Sequence, residues 1–389
     1  MAGEPGLHDS FSLAALPLIG AAVFGLMAAA TLAAVAGELG LDDGSILAGF
    51  GSLALLTVIG IAVAARSREA AGHLVAGSEM GPVAQGLTTA SCFGLAATVL
   101  LPGLVYQHGF DGLIVPLGIA GGLVLMLAMA GPALVRAGAA TVPEFLGLRF
   151  GRLMRAAGLA VAAVSTMGLL AVTFGSGVSL VTRVFDVTAQ AGAIGFAAAI
   201  LLIVMPGGLR SAGWAGVVLY ILAAVALIGG LAIASFGVLG NPAGVVAYGT
   251  ALKEISPAEE ALIEAGLVDF GLFKPFLKEF LTVDRLNWVL LAVSLMAAIA
   301  VLPPLVQSTR MVRGAGEVRR GIAWTLLFTL LLLTAVPAIA ALARIEVYRA
   351  VSAGTAFTDL PPWVRAASAS GAVRLHGTSV AMVADGAKG

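Results

Sequence analysis

The stretch Met80–Gly112, MGPVAQGLTTASCFGLAATVLLPGLVYQHGFDG, decides how this chain is interpreted. It is long and apolar enough to cross a bilayer, yet it contains Gly86, Gly94, Pro102 and Gly103. A span that only had to lie in lipid would use large aliphatic residues throughout. Unwound backbone at membrane depth is tolerated only where it is buried in protein or lines a polar cavity. The stretch therefore predicts a membrane helix that is interrupted near its middle.

Small polar residues within the interrupted stretch are candidates to line a substrate pathway, and they are Thr89, Ser91, Cys92, Gly94 and Thr98. Hydroxyl and glycine residues also serve simply to pack membrane helices closely against one another. Both interpretations stay open for these residues at this point.

Composition defines the class of protein. Of the 389 residues, 60% are hydrophobic and only 11% are charged, and the mean hydropathy is +1.04. These values are typical of a polytopic α-helical membrane protein, whose partner is the lipid bilayer. The net charge of zero gives no basic surface for nucleic acid. The single cysteine excludes an intramolecular disulfide and a cysteine-based metal cluster, and no HExxH, GxSxG or phosphate-binding motif indicates an enzyme.

Apolar runs of about 20 residues predict nine membrane spans. They are Phe11–Leu39, Ser45–Ala65, Pro82–Tyr106, Leu113–Val135, Leu153–Val184, Ala189–Met205, Trp214–Leu239, Leu286–Val306 and Gly321–Ala343. Most arginines in the short connectors fall on one side if these spans alternate, and positive charge favours the cytoplasmic side. We therefore expect a multi-pass protein of the cytoplasmic membrane with a cytoplasmic amino terminus.

A second interruption is predicted at the adjacent prolines Pro303 and Pro304, within an otherwise continuous apolar run. Two prolines in sequence remove backbone donors and are expected to force residue 303 towards extended geometry. The carbonyls left without partners can bind an ion or a substrate, although a lone proline kink is an alternative. The two interrupted spans are five spans apart, which is the spacing of corresponding helices in an inverted-repeat transporter. Both prolines are therefore included in the predicted substrate pathway.

Four segments together resemble the sodium/solute symporter family. They are VAGSEMGPVAQGL (75–87), LPGLVYQHGFDGL (101–113), GAATVPEFLGLRFG (138–151) and PGGLRSAGWAGVV (206–218). The later run from residue 286, with its Leu-Pro break, looks like the acetate-permease branch. The resemblance covers residues 45–365.

This resemblance implies a LeuT-type inverted-repeat bundle with extra leading helices, and cation-coupled uptake of a small organic solute such as a short monocarboxylate. Sodium is the coupling ion that the family implies, and no other cofactor is expected. The resemblance also implies that the backbone carbonyls of Ala90 and Phe93 supply part of the sodium site.

The resemblance further predicts the domain organisation of an incomplete bundle. We expect two leading helices in 1–66, a five-helix repeat in 67–240, an external loop in 241–285, the first two helices of a second repeat in 286–343, and a tail in 344–389. The chain then looks truncated at its carboxyl end, before the helix that carries the family's remaining sodium ligands. An alternative is a transport-inactive relative that serves as a membrane subunit or packing partner.

Three further expectations concern positions outside the predicted pathway. Glu144, which follows TVP, is expected to cap a short cytoplasmic helix. Residues 307–309 lie near the cytoplasmic end of a span and are expected to be solvated. Asp111 is expected in an external turn.

Overall fold

The computed structural model describes residues 17, 19–30, 43–67, 80–139, 141–241, 244, 248–264, 275–312 and 314–353. The α-helices of this part are α1 (Ile19–Ala30), α2 (Asp43–Ala64), α3 (Pro82–Ser91), α4 (Leu101–His108), α5 (Ile114–Leu125), α6 (Gly131–Arg136), α7 (Val142–Phe150), α8 (Arg152–Phe185), α9 (Ala189–Val204), α10 (Leu209–Leu239), α11 (Tyr248–Glu264), α12 (Arg285–Ala300), α13 (Pro303–Ser308) and α14 (Gly314–Ser352). π-helical turns at Ala96–Leu100 and Met126–Ala130, and 3-10 turns at Gly109–Leu113 and Thr309–Met311, join some of them. The described residues contain no strand, which confirms the all-α prediction.

Six helical segments of the described chain are long and apolar enough to cross a membrane, namely Gly44–Ala64, Ala96–Leu134, Arg152–Phe185, Leu209–Leu239, Arg285–Met311 and Gly314–Ser352. The most apolar part of α8 buries none of its residues inside the protein. Such a surface is stable only against lipid, so the structure confirms a multi-pass membrane protein. α1 and α9 are shorter apolar helices.

The structure differs from the predicted limits in two places. The predicted external loop 241–285 contains the 17-residue helix α11. The predicted tail from residue 344 begins inside α14, which continues to Ser352, and its remainder from residue 354 lies outside the described residues. Both ends of the predicted first span, 11–16 and 31–39, also lie outside them. Charged residues lower the hydropathy of α11 and of the end of α14, so these helical segments were predicted as a loop and a tail.

The first predicted interruption is present. α3 ends at Ser91, and the amides of Cys92 and Phe93 then donate to carbonyls only three residues back, Thr89 O at 3.2 Å and Ala90 O at 3.0 Å. The π-helical turn from Ala96 follows. The regular α-helical hydrogen-bond pattern is therefore broken between Ser91 and Leu100, within a predicted membrane span.

The second interruption is also present, but its extended residue is one position earlier than predicted. α12 ends at Ala300, and Leu302 adopts φ −60° and ψ 123° before α13 begins at Pro303. The expectation of an extended Pro303 was wrong: Pro303 begins α13 although Pro304 follows it, and Leu302, the residue before Pro303, is extended instead. Pro303 and Pro304 themselves fit the first turn of a helix, where no backbone donor is needed.

The chain divides into two compact units. The first comprises 1–94, 119–223 and 295–329, and the second comprises 95–118, 224–294 and 330–389. In the first unit, an apolar core from α2, α10 and their neighbours buries Val58, Trp214 and Val218. The backbone amide of Met80 donates to Met311 O at 3.1 Å, which ties the segment before α3 to the segment after α13.

The second unit is organised by the turn that follows α4. Gly109 has φ +56°, a left-handed conformation that favours glycine. Asp111 lies in this turn, as predicted, but is only 3% exposed. Its carboxylate accepts hydrogen bonds from the amides of Phe280 (2.9 Å) and Thr282 (2.7 Å), among others. This aspartate therefore holds the segment that leads into α12.

Candidate functional site

A polar patch lies in the first unit where α3 contacts α10 and α13. The Thr88 hydroxyl lies 2.8 Å from Gly213 O on α10 and 2.9 Å from Ala84 O in its own helix. Thr89 Oγ1 lies 2.8 Å from Ser308 Oγ on α13. Each of these contacts is a hydrogen bond inside protein, so the hydroxyl side of α3 faces its neighbours and not lipid.

Glycine on α10 allows this close approach. A β-carbon added at Gly216 would lie 3.0 Å from Ser91 Oγ and 3.2 Å from Thr88 Cγ2. Both distances are shorter than normal van der Waals contact, so a larger residue would push α3 away. The small residues of the GGLRSAGWAG segment therefore position the hydroxyl residues of α3, as interfaces of this kind do in membranes.

The residues predicted to hold sodium lie at the first interruption. Ala90 is fully buried and Phe93 is 6% exposed. The carbonyl of Ala90 accepts a hydrogen bond from the Phe93 amide at 3.0 Å, and a carbonyl oxygen has two lone pairs. The arrangement is compatible with a carbonyl that also binds a cation, and the assignment of both residues as ligands stays a prediction.

The remaining predicted pathway residues are distributed as follows. Ser91 donates to Thr88 O at 2.7 Å, Cys92 is exposed, and Gly94 packs against Ala223, all in the first unit. Thr98 belongs to the second unit, where its hydroxyl lies 3.3 Å from Leu95 O.

The structure brings Thr89 together with the helix that starts at the second interruption. Pro303 and Pro304 are half-buried in the first turn of α13. Ser308, which contacts Thr89, lies one turn after Pro304. The two interrupted helices therefore meet through hydroxyl groups, whereas the role of these residues as a pathway stays a prediction.

Two residues that the sequence analysis placed in solvent are buried. Ser308 is 4% exposed and Thr309 is 7% exposed, so that expectation was wrong for both, while Gln307 is exposed. The reason is the restart of the helix at Pro303, which rotates the following residues. A helical wheel started at Pro303, with 3.6 residues per turn, could have identified these two residues as buried.

Gln85 is a buried polar residue that the sequence analysis missed. It is fully buried, and neither its amide oxygen nor its amide nitrogen has a hydrogen-bond partner in the structure. A β-carbon added at Gly321 of α14 would overlap the Gln85 amide, so this glycine makes the space that the side chain occupies. Its position one turn before Thr89, on the same helical face, is the signal that could have identified it.

The buried polar side chains of the first unit are all uncharged among the described residues. The same part of the chain contains no group of three or more His, Cys, Asp and Glu that could hold a metal ion. Carbonyl and hydroxyl oxygens are therefore the ligands that this unit offers near the interruptions.

The second unit, in contrast, contains a buried ionic network. Arg344 donates to Tyr106 O at 2.9 Å and to the Tyr348 hydroxyl at 2.9 Å, and it lies 3.6 Å from Glu259 Oε1. Glu259 of α11 also accepts from the Phe276 amide at 2.9 Å. Burial raises the pKa of the Glu259 carboxyl, although these hydrogen bonds and the charge of Arg344 oppose that rise. The network fastens α11 to the end of α14.

The short helix predicted at Glu144 is present as α7, but its capping residue is Thr141, and Glu144 lies in the first turn. The Thr141 hydroxyl accepts from the Glu144 amide at 3.3 Å, and Pro143 lies in the first turn. This cap begins the connector helix between the spans on either side of it.

Comparison with known proteins identifies the family of this chain. The model of the sodium:solute symporter family matches residues 73–357, which is more than half of the chain. An uncharacterized symporter from Cupriavidus necator is 23% identical over an alignment that covers 81% of this chain and 59% of that protein. The chain thus spans less than two thirds of the length of this relative. The match includes both interrupted spans, and on this basis the chain belongs to the sodium:solute symporter family.

Proposed function

We propose that this protein is a secondary transporter, and not an enzyme, that couples the uptake of a small organic solute to sodium. The observation that carries the proposal is the interruption of the α3 span after Ser91, where hydrogen bonds to Thr89 O and Ala90 O replace the α-helical pattern. Interrupted membrane helices of transporters bind coupling ions with their unwound carbonyls.

Sodium fits the ligands that the first unit offers. The carbonyls of Ala90 and Phe93 would contribute oxygen ligands, and the nearby hydroxyls of Thr89 and Ser308 lie within 2.8 Å of each other. Hard cations prefer oxygen ligands. Family membership supports the same ion.

The absence of a buried charge among the described residues of the first unit favours an anionic solute. A sodium ion held only by neutral oxygens would leave an uncompensated positive charge in a medium of low dielectric constant, which is unfavourable. A solute with one carboxylate would neutralise that charge if both bound close together. We therefore propose a short monocarboxylate, such as acetate or pyruvate, as the solute.

The proposal includes a LeuT-type inverted repeat, in which the α3 span and the α12–α13 span are corresponding helices. It also includes a cytoplasmic-membrane location with a cytoplasmic amino terminus. Arg152 and Arg155 at the start of α8, against Arg183 near its other end, support the start of α8 as cytoplasmic.

Uptake of labelled acetate or pyruvate into proteoliposomes, with and without an inward sodium gradient, tests the proposal. We expect uptake to rise with the gradient and to return to the basal rate when a sodium ionophore collapses it. Uptake that is the same with sodium or choline outside would refute sodium coupling. Sodium-stimulated uptake of other solutes alone would refute only the monocarboxylate assignment.

A matched pair of variants tests the site. Thr89→Val keeps the shape of the side chain and removes the hydroxyl that contacts Ser308, so we expect a higher sodium concentration for half-maximal uptake. Thr173→Val is the control, because Thr173 is exposed on α8 and its hydroxyl bonds only within its own helix. Equal sodium dependence of both variants would remove Thr89 from the site.

A further inference from the structure

We propose that a groove in the first unit binds one anionic phospholipid from the bilayer. The groove has a volume of about 730 Å³, and its walls are α7, the first half of α8, and the segment 298–310 that includes the second interruption. We call it the α7–α8 groove. Nothing in the proposed transport function requires it.

The lining of this groove suits an acyl chain and does not suit a small polar solute. All lining side chains are apolar except four, which are Thr141, Ser165, Gln307 and Arg310. The hydroxyl of Ser165 already donates to Val161 O at 2.8 Å in its own helix. A carboxylate solute along the apolar part of the groove would therefore lose hydration without gaining partners, whereas a hydrocarbon chain would gain contacts with the apolar wall.

The length of the groove matches one leaflet. The lining residues of α8 extend from Met154 to Ser165, which is about 16 Å at 1.5 Å per residue. This is roughly half of the ~30 Å thickness of the hydrocarbon layer. Met154 and Val161 are exposed to the lipid side, so a chain can enter from the bilayer.

On α8 and on the segment 298–310, the charged residues beside the groove all lie at one end of each segment. Residues 141–165 and 298–310 contain four arginines and one glutamate, a net charge of +3. Arg149 lies in the last turn of α7, and Arg152 and Arg155 lie at the start of α8, where Arg155 packs over Gly147 of α7. Arg310 lines the groove at the end of the opposite wall. Basic residues beside a groove between membrane helices at the cytoplasmic side recognise anionic headgroups. A lipid bound here has its phosphate at this basic end and an acyl chain towards Ser165.

The proposed lipid would lie against the second interruption. Leu302 and Pro303 are part of the groove wall, so an acyl chain would contact the point where α12 ends and α13 begins. The lipid would then cover apolar side chains at the interruption that the protein itself leaves open.

Native mass spectrometry of the purified protein with phosphatidylglycerol or phosphatidylcholine tests the charge requirement. We expect preferential retention of one phosphatidylglycerol. Arg155→Gln and Arg310→Gln should each weaken its binding about fivefold, the effect of one basic residue near a membrane surface. Arg183→Gln, near the other end of α8 and exposed, should leave it unchanged. Equal retention of both lipids, or equal binding by all three variants, would overturn the proposal.

A steric pair of variants tests the position. Ala157 lines the groove, whereas Ala160 is exposed on α8 but is not part of the lining. Ala157→Phe should abolish retention of phosphatidylglycerol, and Ala160→Phe should not. Thermal unfolding with added lipid provides a second measurement, since the lipid should raise the midpoint of the wild type and of Ala160→Phe but not of Ala157→Phe. A rise of equal size in both variants would show that the lipid binds elsewhere.

Discussion

Replacement of Gln85 by methionine should stabilise the protein, which is the opposite of the usual effect of a core substitution. The side chain is fully buried and both of its amide atoms lack hydrogen-bond partners. An unsatisfied buried polar group costs about 1–3 kcal/mol. Methionine has a similar length and volume and no polar atom, so repacking costs little. We expect Gln85→Met to raise the free energy of unfolding by about 1–3 kcal/mol.

Thermal unfolding in detergent, followed by tryptophan fluorescence, measures this change. Gln190→Met is the matched control, because Gln190 is exposed in the first turn of α9 and exposed substitutions change stability by less than about 0.5 kcal/mol. A midpoint for Gln85→Met that falls below that of the wild type would refute the reasoning. It would show that the amide has a partner in the folded protein, such as an ordered water.

Three other predictions concern Gly321, Asp111 and Glu259. Gly321→Ala should destabilise the wild type by about 1–3 kcal/mol, because its β-carbon would overlap Gln85, but it should stabilise a protein that also carries Gln85→Ala. The unfolding midpoints of the wild type, the two single variants and the double variant test this, and destabilisation in both backgrounds would contradict it. Asp111→Asn should lower the free energy of unfolding by about 2 kcal/mol, since an amide NH₂ replaces a carboxylate oxygen that accepts from the amides of the 280–283 segment. Limited proteolysis should then cleave this segment faster, and an unchanged cleavage rate would count against a role of Asp111 in holding the segment. Burial raises the pKa of the Glu259 carboxyl, so the folded protein binds this proton more tightly than the unfolded chain, and the stability of the protein should rise as the pH falls from neutral through the folded pKa. Glu259→Gln should remove this rise from the pH profile of the unfolding midpoint. A variant profile identical to that of the wild type would refute this prediction.

The two interruptions could be located from sequence because they depend on local chemistry. Glycine and hydroxyl residues in an apolar run weaken one helix, and Pro303 with Pro304 ends another, whatever surrounds them. The extended residue was predicted one position late, because both prolines fit the first turn of α13 and the constraint that a proline places on its predecessor falls on Leu302.

Burial of individual polar residues could not be predicted in the same way. Ser308 and Thr309 follow a helix restart that sets their direction, and Asp111 is buried because a segment about 170 residues later folds over it. Hydropathy also treats α11 as a polar loop, although one face of this helix is buried by contacts with the end of α14.

Composition and the order of apolar runs by themselves determined that this chain is an α-helical membrane protein with two interrupted spans, because the bilayer requires each spanning segment to satisfy its own backbone. Only the tertiary structure decided that Thr89 meets Ser308, that Gly321 makes the space for Gln85, and that Glu259 pairs with Arg344. These contacts join residues far apart in sequence, and they depend on which helix faces approach each other, a choice that side-chain packing makes and no local pattern records.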